Sequence, residues 1–182
     1  EYQRNDNNTI RKTLQVLNSD LQVNNIVIPD TVIAGSPMNV EWKVQNNGAG
    51  KLSCTSRTDK IWLCSSTTFN ASTAIALREV TYNGELATNA SIIQQTVTNI
   101  PITLSGNYYV YVKTDDQNKV LEGVAGEANN MSRSVNRVYI KSAPYADLQS
   151  SNLNVIEDSL EYGQTIQYSY QVTNAGTANL IG

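Results

Sequence analysis

Met38, Val40, Trp42 and Val44 alternate along the chain with Asn39, Glu41, Lys43 and Gln45. A period of two sends one set to a buried face and the other to water, which is the pattern of a half-buried strand. The same alternation puts Ile61 and Leu63 inward in DKIWLC, Tyr108, Val110 and Val112 inward in NYYVYVK, and Ile10, Leu14 and Val16 inward in TIRKTLQV. Strands are expected near 20–28, 37–46, 59–65, 91–100, 106–114 and 131–140, with another near 75–82. Gly, Asn, Asp and Pro fill the gaps, and no stretch keeps a helical period. The expected fold is all-β, an antiparallel β-sandwich.

The pattern recurs. Ile166, Tyr168, Tyr170 and Val172 alternate with polar neighbours as Met38 to Val44 do, and VTNAGTA at 172–178 repeats VQNNGAG at 44–50. Asp20 and Asp147 are 127 positions apart, while Asn46 and Asn174, and Gly48 and Gly176, are 128 apart, so a single insertion aligns the two stretches. At the other end, EYQRNDNNTIRKTLQV resembles EGVAGEANNMSRSVNRVYI, with Asn7 and Asn8 against Asn129 and Asn130. The last offset is 122, a few residues shorter, and ordered matches at both ends mark a repeat architecture. The expected organisation is a final strand of a preceding repeat at 1–18, a complete repeat at 19–141, a linker at 142–146, and the first strands of a following repeat at 147–182. Within the repeated phrase, Asn46 or Asn174 is expected to bond local backbone at a corner of the sandwich, and Gly48 or Gly176 to take positive φ.

Composition narrows the classes. With 13 Lys plus Arg against 16 Asp plus Glu and no basic cluster, a row of phosphates finds no partner, so nucleic acid is not expected. Abundant Asn, Ser, Thr and Tyr suit a wet, extracellular surface. No apolar run reaches the roughly 20 residues that cross a bilayer, and EYQRNDNN resembles neither a signal peptide nor a translation start. The chain is therefore expected to be processed or to belong to something longer, its end strands completed by residues outside it or by exchange with neighbouring copies in a fibre. The absence of His, of a Gly-x-Ser-x-Gly elbow and of a phosphate loop leaves nucleophilic and acid–base catalysis without its usual parts.

Four groups of residues remain as candidate sites. Asp115, Asp116, Asn118, Glu122, Glu127, Asn129 and Asn130 crowd the end of a strand and offer the oxygen ligands that calcium takes; the same residues also suit turn capping without an ion. Trp62, Tyr109 and Tyr111 are expected to face outward, either as a contact surface for sugars or proteins or as cross-strand pairs. Cys54 and Cys64 suit a disulfide stapling a loop to a strand, or two free thiols. Asp30-Thr31-Val32 and Asp158-Ser159-Leu160 are similar to a short acceptor for O-glycosylation in surface-colonising bacteria, on Thr31 and Ser159, or form plain turns.

The segments SDLQVNNIVIP, AGSPMNVEWKVQNNGAG, TDKIWLCSS, LSGNYYVYVKTDDQNKVLEG and EANN together resemble the cell-adhesion-related domain of bacteria, CARDB, over 19–141, restarting at Ala146. The resemblance implies an immunoglobulin-like sandwich, repeated in tandem at the bacterial cell surface and acting as a spacer or adhesive module. The parent is expected to be a filament or stalk, such as a gliding-type adhesin, with neighbouring repeats or copies and surface glycans or proteins as partners. The alternative from another class is a carbohydrate-binding or accessory module of a secreted enzyme.

Overall fold

The computed structural model describes residues 9–52, 54 and 56–179, together with all of their side chains except that of Val124. Residues 1–8 of the expected opening strand, and 180–182 of the closing segment, lie outside the described residues. The chain divides into two units, Glu1–Lys141 and Ser142–Gly182.

In the first unit, β1 (Leu21–Val27), β3 (Pro37–Asn46) and β6 (Ser91–Asn99) form a three-stranded antiparallel sheet in the order β1-β3-β6. The second sheet runs β2 (Thr31–Ile33), β9 (Val138–Lys141), β7 (Gly106–Lys113), β4 (Ser56–Cys64) and β5 (Ile75–Asn83), with β8 (Met131–Arg133) also on β7. The core lies between the sheets. Met38, Val40, Trp42 and Val44 are all within 1 % of complete burial, and the alternation along β3 is unbroken. Ile61, Leu63, Val110, Val112, Val138 and Ile140 come from the other sheet, each at 0 % exposure. This is the sandwich that period-two patterning requires.

Four features depart from the sequence expectation. Strand β2 pairs in parallel with β9, through Thr31 opposite Tyr139, so the fold is not wholly antiparallel. The chain crosses from one sheet to the other there, where only a turn was expected. The strand expected at 131–140 is two strands, because Ser134 leaves the ladder and its hydroxyl bonds Val110 N at 3.0 Å and Asn136 O at 2.7 Å. A five-residue helix, α1 (Gly123–Glu127), follows Gly123 at φ +77°. Residues 9–20 form no strand, and Ile10, Leu14 and Val16 are more than three-quarters exposed. Alternation alone does not make a strand where no sheet edge receives it.

The second unit is a hairpin of β10 (Leu148–Val155) and β11 (Tyr168–Asn174). Leu148 pairs with Asn174 and Ser150 with Val172, as Leu21 pairs with Asn46 and Val23 with Val44. Each first strand has an irregularity at an Asn of positive φ, Asn25 at +51° and Asn152 at +54°.

Candidate functional site

The repeated phrase builds the same clasp in both units. Asn46 Oδ1 accepts from Asp20 N and Gly48 N, each at 3.0 Å, and its Nδ2 donates to Gly50 O at 2.9 Å. Asn174 Oδ1 accepts from Asp147 N and Gly176 N, each at 3.0 Å, and its Nδ2 donates to Ala178 O at 2.7 Å. Backbone bonds match as well: Asn47 N to Asp20 O and Ala175 N to Asp147 O are both 2.7 Å, while Gly50 N to Asn18 O is 2.8 Å and Ala178 N to Tyr145 O is 2.9 Å. The Asn side chain thus ties the segment entering each hairpin to the loop leaving it. Neither Gly48 nor Gly176 has positive φ, contrary to expectation. Glycine is needed for close approach: a Cβ at Gly48 would overlap backbone atoms of Asn18 to Asp20, and one at Gly176 those of Tyr145 to Asp147.

Within the core, β4 carries a buried ionic network. Asp59 is fully buried; its Oδ2 accepts from Trp42 Nε1 at 2.9 Å and its Oδ1 from Thr114 Oγ1 at 2.7 Å and Asp115 N at 3.3 Å. Arg57, also fully buried, brings Nε to 3.5 Å from Asp59 Oδ1 and stacks on Tyr82 at 4.2 Å. Burial raises the Asp59 pKa above the ordinary aspartate value despite the opposing pull of Arg57. Among the described residues, Arg57 Nη1 and Nη2 meet no acceptor. A charge so placed depends on its one carboxylate partner.

The seven oxygen-bearing residues near the end of β7 are engaged largely by the backbone and by one another. The Asp115 carboxylate accepts from Lys119 N at 3.1 Å and Val120 N at 2.8 Å, which is turn capping, and Asp116 pairs with Lys113 at 3.5 Å. The Asn118 amide reaches Glu127 Oε2 at 3.2 Å. Glu122 turns inward, 6 % exposed; its Oε2 accepts from Leu21 N at 3.1 Å and from the Asn130 amide at 3.0 Å. Asn129 Nδ2 donates to Asp20 Oδ1 at 2.9 Å. Glu122 Oε1 and Asn129 Oδ1 are buried without partners. No group of three or more His, Cys, Asp or Glu among the described residues is arranged for a metal ion. Glu122 and Asn129 therefore latch β1 to the turn after β7, a role that spacing alone did not show.

Burial, joined by repulsion from Glu127 and Asp115 and opposed by the Leu21 and Asn130 hydrogen bonds, raises the Glu122 pKa to about 7. A carboxyl group with a raised folded pKa favours the folded state while it is protonated. Its contribution is complete below the unfolded value of 4.5 and is lost as pH rises through about 7. Stability should therefore fall between about pH 4.5 and 7 and level off above, by up to roughly 3 kcal/mol from this group. Urea titrations should show that fall in the parent protein and a flatter profile in Glu122→Gln; identical profiles would refute the assignment.

On the outer face of the larger sheet, Trp62 pairs across strands with Tyr111 and Cys64 with Tyr109. Phe69 packs on both Trp62 and Tyr111 at 5.3 Å, leaving Tyr111 only 5 % exposed, so this ring is covered instead of offered for contact. Trp62 and Tyr109 keep part of their surface exposed. Cys54 and Cys64 are free thiols, not a disulfide; Cys64 is buried and donates to Thr68 O at 3.8 Å. Thr31 and Ser159 are exposed. Thr31 also borders an open cleft of about 870 Å³ whose lining has Glu41 as its only titratable residue. No helix among the described residues is long and apolar enough to cross a membrane.

The first unit is a β-sandwich module with one parallel crossover strand, a clasped entry and a charged pair sealed in its core. A family model, CARDB, matches residues 18–134, and the chain belongs to the CARDB family. Among solved structures, the chain is similar to the CARDB domain of the PF1109 protein from Pyrococcus furiosus, crystallised in complex with di-metal ions, at 19 % identity and a TM-score of 0.49, covering 71 % of this chain and 95 % of that one. A solution structure of that domain matches at 18 % identity and a TM-score of 0.48, covering 69 % and 97 %. A β-glucosidase from Listeria innocua in complex with glucose matches at 9 % identity and a TM-score of 0.42, covering 67 % of this chain and 16 % of that one. No curated protein matches.

Proposed function

We propose that the protein is a section of a tandem array of β-sandwich modules, acting outside the bacterial cell as a non-catalytic, adhesion-related spacer in a filament or stalk. Residues 19–141 are one complete module, 1–18 belong to the module before it, 142–146 are the linker, and 147–182 open the next. The observation that carries this reading is the recurrence of the clasp bond for bond, on a hairpin whose apolar face is bare. Leu148, Tyr168, Tyr170 and Val172 are 53 % to 61 % exposed, whereas Leu21, Val40, Trp42 and Val44 at the equivalent places are fully buried. Exposed apolar residues in this alternation mark a sheet face that awaits a facing sheet.

Each module then adds a fixed length, and its clasp holds the entering chain against its own hairpin loop, so the linker transmits load to a hydrogen-bonded sheet. Membership of an adhesion-related family supports the extracellular placing. Thr31 and Ser159 are accessible for O-glycosylation at corresponding places in successive modules. Hydrogen exchange tests the array. In the native polypeptide the amides of 168–174 should be protected to the degree of those of 40–46, and in the isolated 182-residue chain they should exchange much faster. Fast exchange in both would contradict the array.

A further inference from the structure

The break between β8 and β9 has a consequence on the outer face of the larger sheet. Arg133 and Arg137 are four residues apart, which in a regular strand would separate them by about 13 Å. Here Ser134 is 1 % exposed and locked to Val110 by two hydrogen bonds, its N to Val110 O at 2.8 Å and its Oγ from Val110 N at 3.0 Å. From Arg133 opposite Tyr111 to Val138 opposite Tyr108 the chain spends five residue steps against three on β7, so it bulges here while keeping its direction. Both guanidinium groups consequently converge on one ring, Arg133 at 4.5 Å and Arg137 at 4.9 Å from the centroid of Tyr109. Bulges commonly re-aim side chains in this way.

Neither arginine forms an ion pair among the described residues. Lys60 and Lys113 on this face are paired with Glu79 and Asp116. Two like charges are thus held together by the fold, in a chain of net charge −3, with no acid to neutralise them. Their repulsion disfavours the free site and is relieved by an anion. Planar guanidinium forks suit carboxylate and sulfate oxygens. Around them the face is open, with Tyr139 46 % exposed and Trp62 partly exposed, which offers rings to the C–H faces of sugars. Two free cations match one charge per sugar better than a continuous row of phosphates.

We propose that Arg133, Arg137 and Tyr109 form a binding site for an acidic polysaccharide carrying carboxylate or sulfate groups. The site stands whether or not the chain belongs to an array. Affinity electrophoresis of the 182-residue protein tests it, in gels containing polygalacturonate, dextran sulfate or neutral dextran. Retardation by one or both acidic polymers, abolished at about 0.5 M salt and weakened at least tenfold in Arg133→Gln/Arg137→Gln, is the expected result; which polymer retards identifies carboxylate or sulfate. The double variant should melt at or above the parent temperature, since it loses a like-charge contact. No retardation, equal retardation by dextran, equal binding by the variant, or equal retention by a DNA oligomer would overturn the proposal. A variant that melts lower with unchanged mobility would show the arginines to be packing elements only.

Discussion

Asp59→Ala should cost about 4 kcal/mol of unfolding free energy, because it strands the buried Arg57 guanidinium and removes the acceptor of Trp42 Nε1. A single domain has only about 5–15 kcal/mol in total, so the variant should be partly unfolded near physiological temperature. The loss belongs to the broken pair and not to ionic strength of attraction as such. Replacing both partners, as Arg57→Met with Asp59→Leu, should therefore recover at least half of it, since apolar groups of similar volume need no counter-charge. Urea denaturation followed through tryptophan fluorescence gives both values. A loss below about 1 kcal/mol in the single variant would mean that the pair behaves as an exposed one.

Asn46→Ala is the second large effect, at about 3 kcal/mol. The side chain is fully buried and serves the N–H groups of Asp20 and Gly48 and the carbonyls of Gly50, Leu86 and Ala87, and alanine would leave most of them without a partner. Gly48→Ala attacks the same clasp from the other side by driving a methyl group into the backbone of Asn18 to Asp20. Asn174→Ala, whose residue is half-buried and makes only the three local bonds, should cost much less in the isolated chain. Equal effects at Asn46 and Asn174, measured by urea denaturation and by hydrogen exchange at each hairpin, would contradict this account of the clasp.

The strands that stood out in the sequence are those with one wet face. Along Pro37–Asn46 every second residue is buried, and the burial follows the alternation residue by residue. Three features were hidden for definite reasons. Strand β2 has three residues, too few for a period, and its parallel partner is more than a hundred residues away. The split at Ser134 depends on one hydroxyl replacing a ladder bond. The exposed state of Ile10, Leu14 and Val16 shows that alternation records a capacity to pair and not the presence of a partner. The Arg57–Asp59 pair was legible in principle: both residues share the phase of Ile61 and Leu63, which places them on the inward face. Their charge argued against that reading, since such residues are seldom fully buried unless paired. Glu122 had no comparable signal, because it is buried by a turn and a short helix outside any strand period.

The recurrence of the phrase was the most legible feature, because it needs only two aligned stretches, and the clasp explains why those stretches are alike. An Asn that must bond two N–H groups and a carbonyl, followed by a Gly pressed against the entering chain, leaves little freedom in either position.

Single-molecule stretching of the native polypeptide tests the array most directly. A series of like modules should unfold in successive, evenly spaced events, each lengthening the chain by roughly 40 nm for a repeat of about 127 residues at up to ~3.5 Å each. A single event, or spacings with no common length near that value, would contradict the reading of this protein as a section of a tandem β-sandwich filament.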